Sequence, residues 1–276
     1  MNHIDISTFN NTNQVLKRTE WLLVVKSQEQ IERRRRMLGG RSGDKFGRIS
    51  ARPTAIGLLV FGKLVNEQFE TLWSKEFREP RHIKRLNNGD YLLTEINRLL
   101  HLTPTGEIIR IYEHPFFGFL HSINLSPDGK RALVSSSGYD TIIELDLLTG
   151  KETFRWNGWE HGFNPDEDGY WLSADKETYN RYLSEGKRAL IIDPADYGEQ
   201  GLMTARRTVH PSVAAYDLFD DKPSIILLTG HNGNIYRVNR DNGNTTLLFN
   251  GLNQMPHGLF PYGDGWAVTN TTRGQW

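Results

Sequence analysis

The sequence predicts an all-β fold, a β-propeller of four-stranded antiparallel blades, and three observations carry that prediction. A histidine recurs at blade spacing, every recurrence opens the same run of turn and strand residues, and a second hairpin follows in the better-preserved units. The five segments begin HIKRLNNGDYLLT at His82, HSINLSPDGKRALVS at His121, HGFNPDEDGYWLS at His161, HPSVAAYDLFDDKPSIILLT at His210 and HGLFPYGDGWAVT at His257. Successive histidines are 39, 40, 49 and 47 residues apart.

Within each segment the histidine leads a short extended stretch, and a turn rich in Asp, Gly, Asn or Pro follows. A hydrophobic strand then ends in a hydroxyl, at Thr94, Ser135, Ser173, Thr229 or Thr269. NNGD, SPDGK, NPDEDG, DLFDDKP and PYGDG all carry hairpin chemistry. The second hairpins read LLHLTPTGEIIRIY, TIIELDLLTGKETFRW and NIYRVNRDNGNTTLLF, each with a Gly-containing turn between two strands. A β-sandwich is the competing architecture, but it supplies no reason for a histidine to repeat at this period.

Residues 1–276 are read as one domain of five blades, with six as the alternative. AIGLLVFGK and FETLWSKEF supply the outer strands of a composite blade whose inner strands come from the stretch after His257. Such an overlap closes the ring and removes exposed sheet edges. The additional run TEWLLVVKS (19–27) would instead make the N-terminal unit nearly a whole blade and raise the count to six. Two insertions have helical patterns, QEQIERRRRMLGGRSGDK at 28–45 and KETYNRYLSEGK at 176–187.

Composition limits the function. Lys+Arg and Asp+Glu balance at 33 each, so no global charge points to nucleic acid or to an anionic membrane. The chain has no cysteine, which excludes disulfides, thiolate metal sites and a cysteine nucleophile. No apolar run approaches the roughly 18 residues needed to span a bilayer, and MNHIDISTFNNTNQVLK lacks the apolar segment of a secretory signal. A soluble cytoplasmic protein acting on a small molecule is expected. There is no P-loop, dinucleotide fingerprint or nucleophile elbow.

Antiparallel pairing puts the start of the first strand and the end of the second at one end of a blade. His82, His121, His161, His210 and His257 are therefore expected around one mouth of the central channel. Glu95, Asn97, residues 136–140, Asp175, His231, Asn232 and residues 270–273 should lie on the same face, where loops on a rigid scaffold carry function.

Three roles are open to this crown. The histidines can clasp one blade to the next. They can hold a divalent Fe, Mn or Zn ion, since neutral imidazole ligates these metals and a ring of side chains needs no close sequence spacing. Three or four imidazoles leave coordination positions open, which suits an oxygenase or a lyase. Carotenoid oxygenases and oligogalacturonate lyases share that architectural idea, without a residue-by-residue motif match.

The third role follows from a resemblance. HSINLSPDGKRALVSSSGYDTIIELDLLTGKETFRWNG resembles blades of arylsulfotransferase-like propellers, through hairpin grammar also shared with NHL-like and SMP-30-like propellers. The resemblance implies a channel histidine that accepts a sulfuryl group. His121 or His257 would be that nucleophile, and Arg273 with the Arg33–Arg36 cluster would stabilise the anion. Otherwise Arg33 to Arg36 with Arg41 form a solvated helix surface. Trp156, Trp159, Trp171 and Trp266 read as packing residues, and Asp166 to Asp168 as turn chemistry.

Overall fold

The computed structural model describes residues 19–26, 56–65, 68–166, 168–192, 208–252 and 256–270. The helical insertion expected at 28–45, with Arg33 to Arg36 and Arg41, lies outside these residues, as does Arg273. No helix among the described residues is long and apolar enough to cross a membrane.

Antiparallel sheets follow one another along the chain. The first holds β1 (Thr19–Val25), β2 (Ile56–Val65) and β3 (Gln68–Arg78). The second holds β4 (Ile83–Arg85), β5 (Tyr91–Thr94), β6 (Leu99–Leu102) and β7 (Ile108–Tyr112). The third holds β8 (Leu120–Leu125), β9 (Arg131–Ser136), β10 (Thr141–Asp146) and β11 (Glu152–Asn157). After it come β12 (Trp171–Ser173), α1 (Lys176–Ser184) and β13 (Ala189–Ile191). The next four-stranded sheet holds β14 (Pro211–Tyr216), β15 (Ser224–Thr229), β16 (Ile235–Asn239) and β17 (Thr245–Phe249), and β18 (His257–Tyr262) pairs with β19 (Gly265–Thr269).

The hairpins form where turn chemistry placed them. In SPDGK the Ser126 amide donates to Arg131 O (3.0 Å) and Gly129 N to Ser126 O (2.8 Å), with Gly129 at φ +70°. That left-handed backbone is what a glycine is needed for.

Neighbouring residues on one strand serve two interfaces, because strand side chains alternate between faces. Leu93, Leu100 and Leu102 of the second sheet pack on Leu59 and Phe77 of the first. Leu92 and Leu99, on its opposite face, pack on Ala132, Val134, Ile143 and Leu145 of the third. Leu133, Ile142 and Trp156 then meet Ala214, Ile225 and Leu227. Finally Val213, Ala215, Ile226 and Leu228 meet Leu259 and Val268 of the β18–β19 sheet. Sheets stacked face to face in succession, each covering the apolar face of the next, are the packing of a propeller.

Two expectations are corrected here. The repeat opened by His161 does not form a four-stranded antiparallel blade among the described residues. β12 pairs in parallel with β13, and α1, which the sequence pattern had located, crosses between them. The β8–β11 and β14–β17 sheets instead pack directly on each other. Asp140, fully buried at φ +51° between β9 and β10, anchors that junction. Its carboxylate accepts the backbone N–H groups of Thr208, Val209 (3.2 Å) and His210 (2.8 Å), and the Thr208 hydroxyl (3.0 Å). It thereby holds the start of β14 against the third sheet.

The second correction concerns the composite blade. β1 pairs with β2 along its whole length, and β18 and β19 pair with each other. The described strands of the two ends thus lie in separate sheets. The extra N-terminal run joins β2 in a three-stranded sheet.

Candidate functional site

β4, β8, β14 and β18 are edge strands of their sheets, and residues in and next to them line one cavity of about 400 Å³. Lys26, just after edge strand β1, completes the lining. The cavity lies at the starts of these edge strands, the place where the repeat topology expects the histidines. His82 stands one residue before β4, His121 is second in β8, His210 stands one residue before β14, and His257 opens β18. The strand-closing hydroxyls sit beside these starts. Thr94 Oγ1 accepts the His82 amide (3.0 Å), Pro211 faces Thr229, and His257 faces Thr269.

The five histidines do not share one environment. His82, His121 and His257 line the cavity. The His121 ring lies 5.2 Å from that of His210 and 5.6 Å from that of His257, centroid to centroid. His210 is only 2% exposed and sits beneath the mouth, with His231 of the β15–β16 loop 6.0 Å beyond it. His161 departs from the expected crown. Its ring stacks on Trp156 (5.6 Å, 9°) and lies against Gly243 in the β16–β17 turn. The sequence cannot show this, because the strand pairing that would aim His161 at the axis is replaced by the β12–α1–β13 excursion.

His82 combines a cavity position with a clasp. Its Nδ1 accepts the Ile123 amide of β8 at 3.1 Å, tying the second sheet to the third. Burial, reinforced by the nearby Lys84 ammonium, lowers this imidazole to about 4. It is neutral at physiological pH, and the bond to Ile123 requires an unprotonated Nδ1. Burial also lowers His161, with the Glu160 carboxylate pulling in the opposite direction.

Among the described residues, no group of three or more His, Cys, Asp or Glu side chains is placed to hold a metal ion. The expected five-histidine metal set is therefore not assembled as a unit, with His161 removed and His82 turned to the Ile123 amide. His121, His210 and His257 are the imidazoles that do approach one another.

Sequence reasoning missed a polar centre behind the site. Glu144 on β10 is fully buried and receives Tyr216 Oη (2.6 Å), Arg240 Nη2 (2.6 Å) and Thr153 Oγ1 (2.7 Å), with Arg131 at 3.4 Å. A charged residue alternating with Ile143 and Leu145 is the signal that could have revealed it. Asp166 behaves as expected, its carboxylate accepting Asp168 N and Tyr170 N in a turn.

The four-stranded antiparallel sheets stacked in succession define the chain as propeller-like. No known family model matches it. No curated protein matches it either. Among solved structures it is similar to virginiamycin B lyase from Staphylococcus aureus, at TM-score 0.44 and 16% identity over 80% of this chain and 61% of that one. It is similar to the Neurospora crassa Pan2 WD40 domain, at TM-score 0.42 and 8% identity over 78% of this chain and 52% of that one. Kuenenia stuttgartiensis hydrazine synthase gives TM-score 0.40 and 12% identity, covering 79% and 52%. The chain thus spans between about half and three fifths of these proteins' lengths.

Proposed function

We propose that the chain binds a small molecule at its channel mouth, with His121 and His257 as the side chains that meet it. One observation carries this reading. A cavity of about 400 Å³, lined from four different sheets, contains three imidazoles and a mixture of polar and apolar walls. Concave sites of this size with a few convergent polar groups are where small ligands bind. The test is a ligand-observed NMR screen of a fragment set against the parent and a His121→Ala/His257→Ala variant. Hits should bind the parent and be lost in the variant; hits that bind both equally would overturn the reading.

A metal-dependent enzyme is the second reading, favoured by the approach of the His121 ring to those of His210 and His257. As placed, the three do not form a ligand set, so this reading requires their rings to turn towards one another before they could hold Fe, Mn or Zn, which would supply Lewis-acid or oxygen chemistry to the bound molecule. Metal analysis of protein purified without affinity tag or chelator tests it. One equivalent of metal in the parent, lost in His121→Ala/His210→Ala, is expected. Sub-stoichiometric metal in the parent would refute it.

A further inference from the structure

We infer that the molecule taken at the channel mouth is an organic oxyanion, a carboxylate, phosphate or sulfate carried on an apolar body. The inference rests on the small-molecule reading above and names the chemical class that site selects.

The first ground is the sign of the lining. Lys26, Arg81 and Lys84 all border the cavity, and among the described residues no Asp or Glu does. In a chain whose 33 basic and 33 acidic residues cancel, that local excess is a property of the site and not of the composition. The three cations are not equivalent. Arg81 is paired with Glu79 at 3.3 Å, which offsets part of its charge. Lys84 is half-buried on β4, and among the described residues no carboxylate pairs with it. Its charge is felt inside the cavity, since it is one of the two causes that lower His82. A low-dielectric wall strengthens such a field relative to open water.

The second ground is a hydrogen-bond donor. Ser212, second residue of β14, borders the cavity and is 1% exposed, and its hydroxyl has no hydrogen-bond partner among the described residues. Buried hydroxyls ordinarily find a partner, and one without it at the wall of a ligand cavity is matched by an acceptor on the ligand. An oxyanion provides acceptors for this hydroxyl and for the ammonium groups together.

The third ground is the remaining wall. Leu259, Phe260 and Pro261 of β18, with Val213 of β14, add apolar surface to the same lining. Inorganic phosphate alone would leave that wall uncovered. A charged head joined to a ring or short chain covers both surfaces.

Calorimetric titration of the full chain with phenyl phosphate, benzyl alcohol and benzylamine separates the possibilities, with histidine imidazole NMR signals reporting the location. Phenyl phosphate should bind about tenfold or more tightly than either of the others, and its affinity should fall as salt rises. Lys84→Met should weaken phenyl phosphate about tenfold while the urea midpoint stays at the parent value. Equal affinity for benzyl alcohol or benzylamine with perturbed His121 or His257 signals overturns the anion and keeps the channel mouth as a ligand site. Unchanged phenyl phosphate affinity in Lys84→Met likewise overturns the anion. If no probe perturbs either imidazole, the channel-mouth reading falls, and the anion with it.

Discussion

Removal of the His82 imidazole should cost stability at pH 8 and cost almost none at pH 5. At pH 8 the ring is neutral in folded and unfolded chains. His82→Ala then deletes the acceptor of the Ile123 amide and leaves a buried N–H unpaired, a loss of about 2 kcal/mol. The proton linkage runs the other way at low pH. The folded-state value is about 4 against 6.5 unfolded, so below 6.5 the unfolded chain takes up the proton and the folded chain resists it. The parent is therefore fully stabilised above pH 6.5 and loses stability as pH falls towards 4. At pH 5 that loss amounts to about 2 kcal/mol, from about 1.4 kcal/mol per unit of difference. His82→Ala has no such loss, so the gap between variant and parent should close. His82→Gln, whose amide oxygen can accept from Ile123, should show a smaller penalty at pH 8 and no change in the variant's own proton uptake. Urea unfolding at the two pH values, read as midpoint shifts at constant slope, measures all three. A gap that is the same at pH 8 and pH 5 would refute both the neutral imidazole and its role as inter-sheet acceptor.

Other perturbations test the remaining architecture. Asp140→Ala strips the acceptor from three backbone amides and a hydroxyl, and should lower unfolding free energy by about 3 kcal/mol in urea titration. Glu144→Gln leaves Arg240 and Arg131 facing a neutral buried group and should cost about 3 kcal/mol, while a Glu144→Met/Arg240→Met double variant should recover at least about 1 kcal/mol of the summed single losses in a mutant cycle. Gly243→Ala places a Cβ in the His161 ring at a residue with φ +71°, and should cost about 2 kcal/mol or more by thermal or urea unfolding. Gly89→Ala, also at positive φ but with open space around it, should cost only about 1 kcal/mol, which separates the steric part of the Gly243 effect.

The local grammar was legible because it is written in short range. The turns at 126–130 and 103–106, the continuous strand-forming runs ALVS and IILL, and α1 at 176–184 all follow from neighbours within a few residues. Pairing across the repeat was not legible, because it depends on which segments meet. WLS at 171–173 reads as a second blade strand, yet it finds a parallel partner beyond a helix. TEWLLVVKS reads as strand, but only the structure shows it bonded to β2 in preference to a composite blade. At the site, four histidines fall at the predicted starts of inner strands, and the fifth fails through that same change of pairing. The cationic lining was invisible to composition: Arg81 and Lys84 flank His82 in the first repeat, but only the stacking of sheets brings Lys26 to the same cavity.

The repeated histidine marks a backbone position, and each copy takes its chemistry from what the fold puts around it. At the same place in the strand grammar, His82 becomes a neutral acceptor, His210 is buried behind Asp140's clamp, and His161 becomes an aromatic stacking partner outside the mouth. Repetition by itself therefore argues for the strand start and not for catalysis. What argues for a site is the asymmetry: His82, His121 and His257 are the copies that reach the cavity, and the residues around them, two lysines, an arginine and Ser212, do not repeat. A purely structural crown would be expected to keep equivalent neighbours from sheet to sheet. If the non-repeating lining takes the proposed ligand, affinity should respond to Lys84 and Ser212 more sharply than stability does.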